Sequence, residues 1–281
     1  MIHKKIYLPC RYREKQIKNN QFKPFITTYI LDNSPEIDSN RKQPLVLLCP
    51  GGGYYMTSDR EAEPIALKLN ALGFHVCVLR YSIVPFDFPA PILDLCEAME
   101  LIKTKTKEWH IDNTKIILGG CSAGGHLAAF LGIYWNSQLI QKYETFNPNT
   151  IKPNGLLLCY PVITANKDLT HGETIKNILG EQKDNDSMRE MVSLEKHVNK
   201  DTPPTFIWHT WNDDCVPVEN SLLFATALRN QSISTELHIF AAGPHGLSLA
   251  SKQTAGNDGM IVPECQLWPE LFALWAKAQF T

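Results

Sequence analysis

The chain has 281 residues, 44% of them apolar, and its 27 basic and 29 acidic side chains leave a net charge of −2. Length and apolar content support one α/β domain over 1–281 with a sizeable core, and the near-neutral charge argues against nucleic acid or an anionic membrane as partner. No apolar run approaches the roughly 20 residues that cross a bilayer, and the N-terminus lacks the apolar stretch of a secretion signal, so a cytoplasmic protein is expected.

In chain order, Lys4, Lys5, Arg11, Arg13, Lys15 and Lys18 crowd the opening segment. They read as a solvated strand pair or helix face, and residues 1–40 are expected to add antiparallel edge strands. Residues 45–49 form a short apolar run, read as a buried strand, that leads into Pro50-Gly51-Gly52-Gly53-Tyr54-Tyr55. Glycines leave N–H groups bare, so Gly52 and Gly53 can aim theirs at a developing oxyanion; a flexible turn is the plainer alternative. A helix at 61–72, a strand at 74–81 and a helix at 91–108 follow. Arg60, Glu61, Arg80 and Asp94 flank these turns and are expected as buried ion pairs that brace the loop.

The run 115–119 leads into Gly120-Cys121-Ser122-Ala123-Gly124 and then into an apolar helical stretch at 123–134. Strand, tight turn and helix with a serine at the apex make a nucleophile elbow. The serine sits in a strained conformation, and the flanking glycines let strand and helix approach without a clashing side chain. The N–H of Ala123, at the N-terminus of the following helix, is the natural third oxyanion donor. Cys121 lies beside the apex, not on it.

A strand at 155–160 is followed by a polar insertion at 162–204, with weak helical periodicity at 175–179 and 187–192. The insertion reads either as a small lid over the catalytic edge or as an exterior loop. The strand-like run 205–210 opens onto Trp211-Asn212-Asp213-Asp214-Cys215-Val216-Pro217, where an orienting acid belongs; Asp213 is favoured by its spacing from Val216-Pro217, and Asp214 stays open. After a helix at 218–230 and a strand at 235–240, His245 sits between helix breakers in Ala241-Ala242-Gly243-Pro244-His245-Gly246. It is the candidate base, whereas His126, His209 and His238 read as packed or hydrogen-bonded side chains. Ser, Asp and His thus occur in the order that a serine hydrolase needs. A last helix is expected at about 266–279.

Cys49, Cys77, Cys121 and Cys159 fall in or beside the strand-like runs, without a C-x-x-C pair, and read as reduced core residues. There is no H-E-x-x-H or paired Cys/His spacing, and the calcium-loop-like Asp184-Asn185-Asp186 with Glu195 fails because Met188 and Arg189 occupy the fifth and sixth positions. No metal is expected.

With these residues placed, the chain resembles the α/β-hydrolase superfamily, and within it the bacterial acetyl-xylan-esterase-like or sugar-ester hydrolases. The match is carried by Cys49-Pro50-Gly51-Gly52-Gly53-Tyr54, Ser58-Asp59-Arg60-Glu61-Ala62-Glu63-Pro64, Leu79-Arg80-Tyr81-Ser82, Gly120-Cys121-Ser122-Ala123-Gly124-Gly125-His126 and Trp208-His209-Thr210. Pro50 replaces the histidine common in esterases, but the donors there are main-chain.

The resemblance implies an α/β-hydrolase fold: a mostly parallel eight-stranded sheet, helices on both faces and a small lid. It also implies no metal or organic cofactor, and hydrolysis of short-chain acetyl esters through an acyl-serine on Ser122, with His245 and Asp213. The expected partner is a small-molecule ester, such as an acylated xylo-oligosaccharide; a homodimer stays open. Tyr54, Tyr55, Tyr160 and Trp211 lie near strand ends and are expected at the substrate, their aromatic faces suiting a sugar or an aryl ester. A general short-chain carboxylesterase or lipase-like enzyme is the alternative, ahead of an amidase or a non-catalytic binding relative.

Overall fold

Continuous apolar runs such as Val76-Cys77-Val78-Leu79 and Leu156-Leu157-Leu158 suit strands buried on both faces, the mark of a parallel sheet. The computed structural model describes residues 1–13 and 22–280, so Lys15 and Lys18 of the basic opening lie outside the described residues. Among the described residues, the strands are β1 (Lys5–Tyr7), β2 (Phe25–Tyr29), β3 (Gln43–Cys49), β4 (His75–Arg80), β5 (Ile111–Cys121), β6 (Gly155–Cys159), β7 (Thr205–Thr210) and β8 (Thr235–Phe240). They form one eight-stranded sheet in the order β1-β2-β4-β3-β5-β6-β7-β8. β1 pairs antiparallel with β2, and β2 antiparallel with β4, at one edge, as expected of the N-terminal segment, and the remaining pairings, among β3 to β8, are parallel.

The helices are α1 (Glu63–Ala71), α2 (Ala90–Thr104), α3 (Ala123–Tyr134), α4 (Gln138–Gln141), α5 (Pro148–Ile151), α6 (Gly172–Leu179), α7 (Asp186–Met191), α8 (Glu219–Asn230) and α9 (Trp268–Gln279). Alternation along β3 assigns the two faces. Leu45, Leu47 and Cys49 pack in one core with Leu95, Met99, Leu127 and Phe224 of α2, α3 and α8. Val46 and Leu48 pack in the other with Ile65 and Leu69 of α1 and Phe272 of α9. Trp208 of β7 stacks on Trp268 of α9 in that second layer, with centroids 5.6 Å apart.

Boundaries differ from the sequence expectations where proline or an apolar gap intervenes. The helix expected at 61–72 is a 3-10 turn, Asp59–Glu61, followed by α1, because Pro64 lacks the N–H a continuous helix needs and sits naturally in a first turn. Pro263 and Pro269 likewise divide the last helix into a 3-10 turn, Pro263–Leu267, and α9. α2 stops at Thr104, short of 108, and the chain turns so that Trp109 is buried.

Because the strands are parallel, β3, β5, β6 and β7 end at the same edge, and the loops after them gather there. Residues 162–204, between β6 and β7, include α6 and α7, and α6 meets the glycine loop at that edge. Asn177 Nδ2 on α6 donates to the Gly53 carbonyl at 2.8 Å, and Phe88 N–H donates to the Ile178 carbonyl at 2.7 Å. No helix among the described residues is long and apolar enough to cross a membrane.

Candidate active site

Ser122 joins β5 to α3 with φ 53° and ψ −119°, the strained geometry that lifts a side chain off a sheet edge. Its N–H donates to the Cys159 carbonyl at 3.0 Å, and its own carbonyl accepts from His126 and Val162 N–H, both at 3.1 Å, so backbone bonds hold the apex from three directions. Close approach makes Gly124 necessary, since a Cβ there would fall inside the Cys49 carbonyl oxygen. Gly124→Ala is expected to destabilise the fold by about 3–5 kcal/mol, in the range of severe backbone and packing clashes. A variant melting at the wild-type temperature would refute this close approach.

Ser122 Oγ lies 2.8 Å from His245 Nε2, and His245 Nδ1 lies 2.7 Å from Asp213 Oδ2. A carboxylate accepts only, so Nδ1 carries the ring hydrogen and Nε2 is left to accept the serine proton; this tautomer is assigned from the network. Burial pushes the Asp213 carboxyl up, but hydrogen bonds from His209 and His245, the charge of His245 and the Val216 N–H outweigh it and hold the group well below the usual carboxylate range. Asp213 Oδ1 accepts from Cys215 N–H at 2.9 Å and Val216 N–H at 2.8 Å.

Asp214 has a different position from Asp213, its Oδ1 accepting from the His245 backbone N–H at 3.0 Å, so it holds the loop and not the imidazole. His209 is buried, with Nδ1 2.7 Å from Ser221 Oγ and Nε2 3.2 Å from Asp213 Oδ2 and 3.0 Å from the Val216 carbonyl. Two acceptors at Nε2 assign it the hydrogen, leaving Nδ1 to accept from the Ser221 hydroxyl. The packed histidine of the sequence reading therefore touches the candidate acid directly.

The glycine loop lies against the serine: a Cβ on Gly51 would sit 2.9 Å from Ser122 Cβ. Gly52 and Gly53 take φ values of 123° and 62°. Among the described residues, no carbonyl or side chain accepts from the N–H groups of Gly52, Gly53 or Ala123. Three unbonded donors from the loop and the helix start are what an oxyanion would require.

Glu61 and Arg60 brace this loop without forming the buried ion pair expected of them. Glu61 Oε2 accepts from Gly51 N–H at 2.8 Å and Oε1 from the Tyr160 hydroxyl at 2.8 Å, while Tyr160 in turn accepts from Ser248 N–H at 2.9 Å. Arg60 Nη2 donates to the Gly246 carbonyl, next to His245, at 2.9 Å. Asp94 accepts from Ser82 N–H and the Tyr12 hydroxyl, and Arg80 pairs with the exposed Asp59 instead. Neutral N–H and O–H donors satisfy the Glu61 carboxylate, so no second charge has to be desolvated beside it.

The four aromatic side chains expected at the substrate divide. Tyr55 and Trp211 are 70% and 62% exposed, open to a ligand. Tyr54 and Tyr160 are buried, and their hydroxyls already have protein partners. Tyr54 donates to His126 Nδ1 at 2.9 Å, and the Tyr160 ring meets His245 edge-on with centroids 5.2 Å apart. These two correct the expectation of four substrate contacts: their rings fill the gap between sheet and loops, and they orient neighbours. Burial pushes His126 down to about 4, so it stays neutral; its Nε2–H donates to the Val192 carbonyl at 3.1 Å and links α3 to the segment after α7. His171, in the same 162–204 insertion, also reaches the glycine loop, its Cε1 3.8 Å from where a Gly53 Cβ would stand. No local pattern marked it, because it lies in a polar stretch without periodicity.

A doubly covered, mostly parallel sheet with a serine elbow at its carboxyl edge defines an α/β-hydrolase. The chain belongs to the BD-FAE family, which matches residues 33–228. It is 35% identical to the acetyl ester-xyloside bifunctional hydrolase from Caldicellulosiruptor lactoaceticus, with a TM-score of 0.83 over 98% of this chain and 96% of that one. A carboxylesterase from Lactobacillus plantarum superposes with a TM-score of 0.83 at 28% identity, covering 99% of this chain and 98% of that one. Among curated relatives, endo-1,4-beta-xylanase B of Butyrivibrio fibrisolvens is 34% identical over 75% of this chain, and an acetylxylan esterase of Xylanibacter ruminicola 28% identical over 77%. The chain spans 34% and 43% of the length of these two relatives.

Proposed function

We propose that the protein is a serine esterase that removes short acyl groups, above all acetyl, from carbohydrates such as acetylated xylo-oligosaccharides. The observation that carries the reading is the continuous hydrogen-bonded path from Ser122 Oγ through His245 to Asp213, with links of 2.8 and 2.7 Å. In this mechanism His245 Nε2 takes the Ser122 proton as Oγ attacks the ester carbonyl, and Asp213 stabilises the imidazolium. The N–H groups of Gly52, Gly53 and Ala123 hold the oxyanion. His245 then gives its proton to the departing alcohol, leaving an acyl-serine. Water repeats the attack with His245 again as base, and the acid leaves as Ser122 recovers its proton.

The carbohydrate assignment draws on relatives named for acetyl-xyloside and acetylxylan hydrolysis, and on the exposed faces of Tyr55 and Trp211, which suit a sugar ring. Residues 162–204 act as the lid of a single domain, fastened to the glycine loop through Asn177. A cytoplasmic setting fits the free thiols of Cys49, Cys77, Cys121 and Cys159 inside the strands. A general short-chain carboxylesterase is the second reading, favoured by the superposed Lactobacillus plantarum carboxylesterase.

Acetate release from acetylated xylo-oligosaccharides, measured beside a 4-nitrophenyl ester series of rising acyl length, separates the two. The proposed function predicts release from the sugars and a steep fall in nitrophenyl ester cleavage beyond the shortest acyl groups. Cleavage of the nitrophenyl esters alone would leave the general esterase.

A further inference from the structure

We propose that His171 is a specificity residue of this site, its Nε2–H donating to a hydroxyl of the sugar alcohol beside the scissile ester. The inference rests on the carbohydrate-ester reading above and names a contact that reading leaves open. His171 immediately precedes α6, and three observations place its ring at the reacting centre. A Cβ on Gly53 would meet His171 Cε1 at 3.8 Å and Thr174 Oγ1 at 3.7 Å, so both side chains border the glycine whose N–H is a candidate oxyanion donor. Asn177, further along the same helix, donates to the Gly53 carbonyl at 2.8 Å and holds α6 against the loop. His171 also lies close enough to His245 and Asp213 for charges there to act on its ring.

The tautomer follows from the hydrogen bonds. Thr174 is buried, and its hydroxyl lies 2.8 Å from His171 Nδ1 with no other acceptor for its proton among the described residues. A buried hydroxyl proton left without an acceptor is costly, so Thr174 donates to Nδ1 and the ring hydrogen sits on Nε2. Nε2 has no protein partner among the described residues, and the half-buried ring leaves it open to a ligand. Burial and the charge of His245 lower the imidazole from its ordinary value, against the opposing pull of Glu173 and Asp213, so it faces the substrate as a neutral donor.

The side of the substrate it meets is set by the chemistry. His245 must reach the leaving oxygen to protonate it, so the alcohol lies beside His245. A donor that borders both Gly53 and the His245 side faces that alcohol. A sugar carries hydroxyls next to the ester; a nitrophenol leaving group carries none.

The test compares wild type with His171→Ala, His171→Phe and His171→Gln on acetylated xylo-oligosaccharides and on 4-nitrophenyl acetate, with melting curves for each. In the Ala and Phe variants the ratio of kcat/KM for the sugar ester to that for the aryl ester is expected to fall ten- to hundredfold, chiefly through KM. Gln, whose amide supplies an N–H, recovers part of the ratio. An unchanged ratio, or equal losses on both substrates, overturns the role of His171 while the carbohydrate reading stands on the wild-type activity. A wild type that cleaves the aryl ester but no sugar ester overturns the carbohydrate reading first, and the sugar contact with it.

Discussion

Ser122→Ala is expected to lower kcat for ester hydrolysis by about 10⁶, the scale seen when a triad nucleophile is removed from a serine hydrolase. Alanine fits the elbow without new contacts, and the backbone bonds from Ser122 to Cys159, His126 and Val162 do not involve the lost hydroxyl. The variant should therefore melt close to wild type while losing the acyl-enzyme. Loss of Oγ leaves the N–H groups of Gly52, Gly53 and Ala123 in place, so a residual rate of about 10³–10⁴ over uncatalysed hydrolysis is anticipated from oxyanion binding alone. Mass spectrometry during turnover of 4-nitrophenyl acetate gives the sharper readout: an acetyl adduct on wild type and none on the variant. An adduct that persists on the alanine variant, or a rate within tenfold of wild type, would remove Ser122 from the mechanism and reopen Cys121.

Much of this arrangement is legible in the sequence because it is local. Gly120 to Gly124 specify a turn over five residues, and the strands of a parallel sheet, buried on both faces, stand out as unbroken apolar runs. The runs at 205–210 and 235–240 coincide with β7 and β8, and the helix at 123–134 with α3. What the sequence conceals is the set of contacts between distant segments. Glu61 and Tyr160 are 99 residues apart, and Gly53 and Asn177 are 124 apart; neither pairing leaves a periodic or compositional trace. The same blindness explains Tyr54 and Tyr160. An aromatic residue at a strand end faces a ligand or the interior according to what packs over it, and here the covering elements come from elsewhere in the chain.

That long-range framework also explains how a site made of loops can be rigid. Glu61 joins the glycine loop to Tyr160, Tyr160 joins β6 to Ser248, and Arg60 holds the carbonyl next to His245. His126 ties the elbow helix to Tyr54 on one side and to Val192 of the insertion on the other. Each side chain makes its bonds to a different loop, so the serine, the donors and the histidine are fixed relative to one another and not just to the sheet. Preorganisation of this kind lets main-chain donors stabilise developing charge without reorganising during the reaction.

Asp213→Asn tests the deepest part of that arrangement, with an expected loss of about 10⁴ in kcat, the scale reported for this change in a serine protease triad. Both carboxylate oxygens are engaged: Oδ2 accepts from His245 and His209, and Oδ1 from the Cys215 and Val216 N–H groups. An asparagine can offer only one oxygen. With that oxygen toward the backbone donors, its NH₂ meets both imidazoles and forces His245 into the tautomer that cannot accept the Ser122 proton. Turned the other way, the NH₂ faces two N–H groups, and buried donors are left unpaired at a cost of about 1–3 kcal/mol.

Stability gives an independent sign. The folded state holds the Asp213 carboxyl below its ordinary value, so its stabilisation is fully present above the unfolded value of about 3.9 and is lost as pH falls through the folded value. The melting-temperature gap between wild type and Asp213→Asn should therefore be widest near neutral pH and should narrow as the pH is lowered below about 4. A gap that stays constant or widens on acidification would mean that the carboxylate is not held by His209, His245 and Val216 as described. Near-wild-type turnover in the variant would transfer the role of orienting acid to Asp214.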